Sequence, residues 1–453
     1  MEYGKQLTSH TTDIEGLLVF DFPVHGDNRG WFKENWQRTK MTNLGLPDFG
    51  PVQNNMSFNA TAGTTRGMHA EPWDKFVSVA VGSVFGAWVD LRAGSSTYGN
   101  VVTQKITPDV GVYVPRGVAN GFQALEDGTL YTYLVNDHWS PDAHYANVNL
   151  NMIDWPLPIT EISEKDKKHP ALIDATPLPA RKVLVVGAGG QLGTALRAQF
   201  PDAEFVTRQE LDITSDLTEV RAWKQYSTII NAAAYTAVDQ AEHDRAAAWD
   251  INAAAVANLA TIARDNNLTL VHVSSDYVFD GAAESYDENA PFSPLGVYGQ
   301  SKAAGDIAAT TAPRHYIVRT SWVIGDGNNF VRTMKSLDER GIAPSVVDDQ
   351  IGRLSFTEDI AAGIAHLLEV GAAYGTYNLT NTGEPASWAD VARAVFSDPT
   401  KVTGVSTAEY FANKDAAPRP LNSVLDLGKI EATGFSAPTW QTRLNDYLKE
   451  LSK

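Results

Sequence analysis

The chain is predicted to carry two folds in series, an antiparallel β domain followed by a doubly wound α/β domain. Three observations predict this. From Phe20 to about Tyr145 the apolar residues recur with period two, punctuated by glycine and proline, with no helical stretch between them. From Arg181 onward, strand and helix patterns alternate. At the start of that second half, the apolar run Val183–Val186 meets glycines at 187, 189, 190 and 193, and a helical pattern follows from Thr194. That is a strand, a tight glycine turn and a helix, the opening of a Rossmann domain. A chain of 453 residues is also too long for one ordinary core. The expected division is 1–172, a proline-bearing linker 173–180, and 181–453.

Within the first half, Phe76–Val81 and Val84–Leu91 read as strands joined by a Gly82-Ser83 turn. Val112–Pro115 and Leu130–Val135 are further strands, the latter with Tyr131, Tyr133 and Val135 on one face. A sandwich and a barrel are both compatible with this pattern. Within the second half, Phe205-Val206, Thr228–Ile230, Leu270–Val273 and Tyr316–Val318 read as strands. Ala195–Phe200, Ala246–Asn266 and Gly299–Thr310 read as helices.

Composition narrows the chemistry. The absence of cysteine excludes disulfides, thiolate metal sites and cysteine nucleophiles. A net charge of -18 disfavours nucleic acid as a partner but leaves room for a small anionic substrate held by local arginines. Neither a signal peptide nor an apolar run of membrane-spanning length is read, so a cytoplasmic protein is expected.

The glycine turn suits a dinucleotide. Missing side chains let a diphosphate approach the backbone, and the following helix offers free N–H groups. The second strand ends at Arg208, where an arginine suits a 2′-phosphate; NADPH is favoured, with NADH left open. Tyr298 and Lys302 lie four residues apart, hence on one helix face. The ammonium is expected to lower the phenol pKa and so help it exchange a proton with a carbonyl oxygen. Ser275 ends the preceding strand, where open α/β sheets place ligands. In the first half His69, Lys75, Tyr133 and Asp166 stand out. His69 and Glu71 are neighbours, but no third ligand is apparent and no metal site is expected.

The first half resembles the dTDP-4-dehydrorhamnose 3,5-epimerase family over roughly 15–172. The resemblance rests on Asp27–Glu34 (Asp-Asn-Arg-Gly-Trp-Phe-Lys-Glu), Gln53–Ser57, Arg66-Gly67-Met68-His69, Val89–Arg92, Ser95–Gly99, Val114–Gly117, Asp154-Trp155-Pro156 and Ser163–Asp166. It implies a jelly-roll (cupin-like) fold needing no cofactor. His69 is then the base, oriented by Asp166; Lys75 steadies the enolate and Tyr133 is the acid. Arg29, Glu34, Gln53, Asn55, Arg66 and Arg116 fall in substrate-binding motifs. Asn120 stands where the family usually has histidine, and the loop before Lys75 is short.

The second half resembles dTDP-4-dehydrorhamnose reductase, of the extended short-chain dehydrogenase family. Here the matching stretches are Gly187–Gly193, Asn231–Glu242, Ser274–Gly281, Tyr298–Gly305, Val347–Gly352 and Pro418-Arg419-Pro420. The implied triad is Ser275, Tyr298 and Lys302. Gly187, Gly190, Gln191, Leu192, Gly193, Arg208, Asp212, Ala232, Ala233 and Ala234 would bind cofactor together with Tyr298 and Lys302. Trp322 and Arg419 would contact substrate, core packing being the alternative for Trp322, and a smaller substrate-binding part would lie after about 325. The whole implies a bifunctional enzyme of dTDP-L-rhamnose synthesis, acting on dTDP-sugars and paired as a homodimer through its jelly roll. Two alternatives stay open: a reductase fused to a non-catalytic sugar-nucleotide-binding or dimerisation domain, and an epimerase–reductase pair making a different sugar.

Overall fold

The computed structural model describes residues 2–140 and 143–452. It divides into two compact units, Met1–Ala180 and Arg181–Lys453.

The first unit is built from two antiparallel sheets. In chain order its strands are β1 (Thr8–Thr11), β2 (Leu18–Asp21), β3 (His25–Asp27), β4 (Gly30–Phe32), β5 (Gln53–Asn59), β6 (Thr65–Ala70), β7 (Lys75–Val81), β8 (Val84–Asp90), β9 (Val101–Ile106), β10 (Val110–Val114), β11 (Val118–Ala124), β12 (Thr129–Val135) and β13 (Ala146–Asn147). One sheet runs β1-β2-β10-β7-β12-β5 and the other β13-β6-β11-β8-β9, while β3 and β4 form a separate hairpin. Alternation puts Val77, Val79 and Val112 of the first sheet against Trp88, Ile106 and Phe122 of the second in one buried cluster. The turn at Gly82-Ser83 lies between β7 and β8, as the sequence predicts.

The expected linker 173–180 packs on this unit. Leu178 is buried, its N–H donates to the Leu91 carbonyl at 2.8 Å, and its own carbonyl accepts from Ala93 at 2.9 Å.

The second unit has a six-stranded parallel sheet. Its strands are β14 (Lys182–Val186), β15 (Glu204–Val206), β16 (Tyr226–Asn231), β17 (Thr269–Ser275), β18 (His315–Thr320) and a last strand Gly375–Asn378. Their order, β15-β14-β16-β17-β18 and then Gly375–Asn378, reverses beside β14, which makes a Rossmann-like topological switch point there. Both faces are covered. Leu184 and Ile229 face one apolar cluster, Val185 and Ile230 the other, which is why these strands read as unbroken apolar runs. The helical stretch predicted over 246–266 is interrupted by a π-turn at Asp250–Ala254. That turn carries Asn252, whose amide accepts from Tyr235 N–H at 2.9 Å and donates to Ser301 Oγ at 3.0 Å. It pins the helix Val297–Ala309 to the loop after β16. No helix of the described residues is long and apolar enough to cross a membrane.

Candidate active sites

A cavity of about 620 Å³ in the first unit is lined by residues from both sheets. Arg66, His69, Lys75, Tyr133 and Asp166, all predicted site residues, lie on its wall. β6 supplies Arg66 and His69, β7 opens with Lys75, and β12 supplies Tyr133. Asp166 arrives from 97 residues away. His69 Nε2 and Asp166 Oδ1 are 2.9 Å apart, and Asp166 Oδ2 accepts from Gly67 N–H at 3.2 Å. Burial works against the Asp166 charge, but the His69, Gly67 and Ser163 hydrogen bonds prevail and hold its carboxyl at about 2. The carboxylate therefore accepts Nε2–H, which leaves Nδ1 as the imidazole nitrogen that can act as a base. Burial, reinforced by the Glu71 charge, pushes the Tyr133 phenol up and keeps it protonated.

The sequence does not single out three neighbours as site residues. Glu71 lies on the cavity wall in a buried ion pair with Lys75, whose ammonium sits 5.1 Å from the Tyr133 ring centroid. Its i+2 spacing from His69 was the available signal. Tyr131 donates to Asn120 Oδ1 at 3.2 Å, so the amide at that position is held inside the cavity. His169 packs edge-on against His69, with ring centroids 5.2 Å apart.

Five expected substrate contacts are not on this wall. Arg29 sits exposed at the β3–β4 turn, paired with Asp27. Glu34 pairs with Lys40 at 2.6 Å. Gln53 donates to Asn55 Oδ1 at 2.8 Å on the edge strand β5. Arg116 reaches the Pro179 carbonyl at 2.7 Å. Within one chain these side chains are committed elsewhere.

The second unit holds a cavity of about 950 Å³ at the carboxyl ends of β14, β16 and β17. Gly187, Gly190, Gln191, Leu192, Arg208, Asp212, Ala232–Ala234, Ser275, Tyr298, Lys302 and Trp322 all line it. Gly193 does not. A Cβ there would meet the Gly187 carbonyl oxygen at 2.3 Å, so this glycine seats the helix against the turn and does not face the cavity. Gly189 faces open space, and a Cβ at Gly190 would meet only the Gly187 carbonyl oxygen, at 3.4 Å. Arg419 is also off the wall, bonded to both carboxylate oxygens of Asp239 at 2.8 and 2.9 Å. Trp322 lines the cavity and stacks on Trp388 with centroids 3.8 Å apart.

Tyr298 differs from expectation in one respect. Burial pushes its phenol up to about 12, while the Ser275 hydroxyl beside it acts in the opposite direction. Lys302 does not offset the burial. Its ammonium donates to the Val273 carbonyl at 2.7 Å, and burial lowers it to about 8. A neutral phenol is still the form that donates a proton. Ser275 Oγ donates to Asp276 Oδ1 at 2.9 Å, and burial raises that carboxyl to about 6.

The model of the family described as dTDP-4-dehydrorhamnose 3,5-epimerase matches residues 11–174, and that described as RmlD substrate binding domain matches 181–453. Over 178 residues the chain is 51% identical to a protein named RmlC homolog from Streptococcus pyogenes, covering 37% of this chain and 89% of that one. Over 292 residues it is 40% identical to dTDP-4-dehydrorhamnose reductase of Aggregatibacter actinomycetemcomitans, covering 58% of this chain and 97% of that one. A crystal structure of dTDP-4-dehydrorhamnose reductase from Bacillus anthracis in complex with NADP aligns at a TM-score of 0.54 and 35% identity, over 60% of this chain and 99% of that chain.

Proposed function

The chain belongs to the dTDP-4-dehydrorhamnose 3,5-epimerase family over its first unit and to the dTDP-4-dehydrorhamnose reductase family over its second, and from this premise we propose how its two cavities divide the work. It is a bifunctional enzyme of dTDP-rhamnose biosynthesis, with isomerase and NADP-dependent oxidoreductase activities. The observation that best supports the division is that each cavity carries its own acid–base set. One has His69, Asp166, Lys75 and Tyr133, the other Ser275, Tyr298 and Lys302.

In the first cavity, of a jelly-roll domain, His69 Nδ1 removes the proton beside the C4 ketone of dTDP-4-dehydro-6-deoxy-D-glucose. Lys75 stabilises the enolate oxygen, and Tyr133 returns a proton to the other face, at C3 and at C5. Arg66 holds the diphosphate. In the second, of the extended short-chain dehydrogenase type, the residues fit a dinucleotide. Gly187 takes φ +85, Gly189 and Gly190 leave a bare cradle, and the helix Gln191–Gln199 starts at its edge. Bound NADPH supplies the hydride. Tyr298 donates its proton to the C4 oxygen, Ser275 orients that oxygen, and Lys302 orients the ribose.

For the pairing of two chains, the support is β5. It is a sheet edge, and it exposes Met56 and Phe58 by 68% and 64%. A homodimer through the first unit would cover that row.

The reading is tested by incubating the full chain with dTDP-4-dehydro-6-deoxyglucose in D2O and identifying products by NMR. Deuterium at C3 and C5 is expected without NADPH, and dTDP-L-rhamnose with it. Exchange at one carbon, or another sugar, overturns it. Cofactor choice has its own test. Arg208 stands at the cavity rim with its side chain 71% exposed, 3.9 Å from Asp212. Arg208→Ala is expected to weaken NADPH far more than NADH in binding titrations, because only NADPH carries the 2′-phosphate. Equal weakening of both removes Arg208 as the phosphate contact.

A further inference from the structure

We infer that His69, Asp166 and His169 form a divalent-cation site, suited to zinc, superimposed on the acid–base pair of the first cavity. His69 Nε2 lies 2.9 Å and His169 Nε2 3.9 Å from the same Asp166 Oδ1. One ligand atom from each residue falls within 4.8 Å of the others. Tetrahedral zinc, with bonds of about 2.0–2.1 Å to nitrogen and oxygen, needs ligand atoms about 3.3 Å apart. Closing the triangle therefore takes side-chain adjustments of about an ångström. Two imidazoles and one carboxylate are a ligand set of the right softness, and a fourth position stays open on the cavity side, where His69 is 33% exposed.

His169 is what distinguishes this cluster from a plain His–Asp pair. Its side chain is only 6% exposed, and neither ring nitrogen makes a hydrogen bond of good geometry, with the Val148 backbone as its polar neighbour. Burying a poorly satisfied polar ring is costly, and a bound cation would satisfy one of its nitrogens. Asp166 brings one negative charge to the cation, against which the Lys165 ammonium nearby acts. Zinc binding displaces the Nε2 proton to solvent and takes His69 and Asp166 out of acid–base work. The site would thus switch off epimerisation while the second unit continues to reduce.

That consequence rests on His69 being the base; the binding does not, and the two are measured separately. Zinc affinity of the full chain is read by competition with a chromophoric chelator. Epimerisation is read as deuterium exchange, and reduction on the epimerised ketone. Wild type should bind zinc, lose exchange on addition and regain it with EDTA. His169→Gln should bind zinc at least about tenfold more weakly, since even outer partners of metal ligands are worth about 10–100-fold. Its exchange without zinc should persist. Should the Gln variant fail to fold, His169→Phe keeps a buried ring and makes the same comparison. Equal zinc affinity in wild type and either variant, or no binding by wild type, overturns the site. Binding that leaves exchange untouched keeps the site and removes His69 as the base.

Discussion

Replacing His69 by alanine is expected to lower solvent exchange into the keto-sugar by about 10²–10⁴-fold, the range for a lost general base, or about 2.7–5.4 kcal/mol of barrier. Reduction of the supplied epimerised ketone should be unchanged in the same protein. The size of the effect follows from the site. Asp166 holds the imidazole through Nε2, and Lys75 and Tyr133 line the same cavity. Asp166→Asn offers a sharper comparison. The carboxylate accepts from both Gly67 N–H and His69. An amide has one acceptor, so it must either oppose the Gly67 N–H or donate to Nε2 and force the wrong tautomer. Exchange in the Asn variant should therefore also fall well below wild type. Undiminished exchange in His69→Ala, measured by NMR, rejects the assignment.

Tyr298→Phe is expected to lower reduction by at least about 10²-fold, with NADPH affinity little changed. As hydride reaches C4, negative charge grows on the ketone oxygen, and a donor placed there stabilises the transition state more than the ground state. Burial keeps the Tyr298 phenol neutral by raising it to about 12, so at neutral pH it holds the proton it must give. The phenylalanine keeps the ring that packs edge-on against Tyr277 at 5.4 Å and removes only the hydroxyl. Lys302→Met should lower both turnover and cofactor affinity. Exchange in the first cavity should persist in both variants. A Tyr298→Phe enzyme that reduces at near wild-type rate leaves Ser275 or a bound water as the proton source.

Much of this molecule is legible in its residue order because the governing patterns are local. A period of two over Phe76–Val81 and Leu130–Val135 reports a strand whatever lies opposite. An apolar run followed by glycines at 187, 189 and 190 reports a strand, a turn and a helix start. A four-residue step from Tyr298 to Lys302 reports a shared helix face. For the same reason many of the residues that line the two cavities could be named, since each stands in a short motif of its own.

Proximity is a different kind of fact. His69 and Asp166 are 97 residues apart, and their hydrogen bond exists because β6 lines a cavity to which the chain returns after β13. His169 enters with Asp166, so the second imidazole at that site has no signature in the order of residues. Arg29, Gln53 and Asn55 look like pocket residues by motif, yet topology sends them to a hairpin and a sheet edge. Arg419 is held by Asp239, 180 positions earlier. Even the charge state of Tyr298 depends on the packing around it. Spacing alone suggests that Lys302 lowers the phenol; burial raises it, and the ammonium is turned toward the Val273 carbonyl. Period and spacing act over a few residues and survive in any context, whereas contact, burial and the pKa values they produce depend on which distant segments the fold brings together.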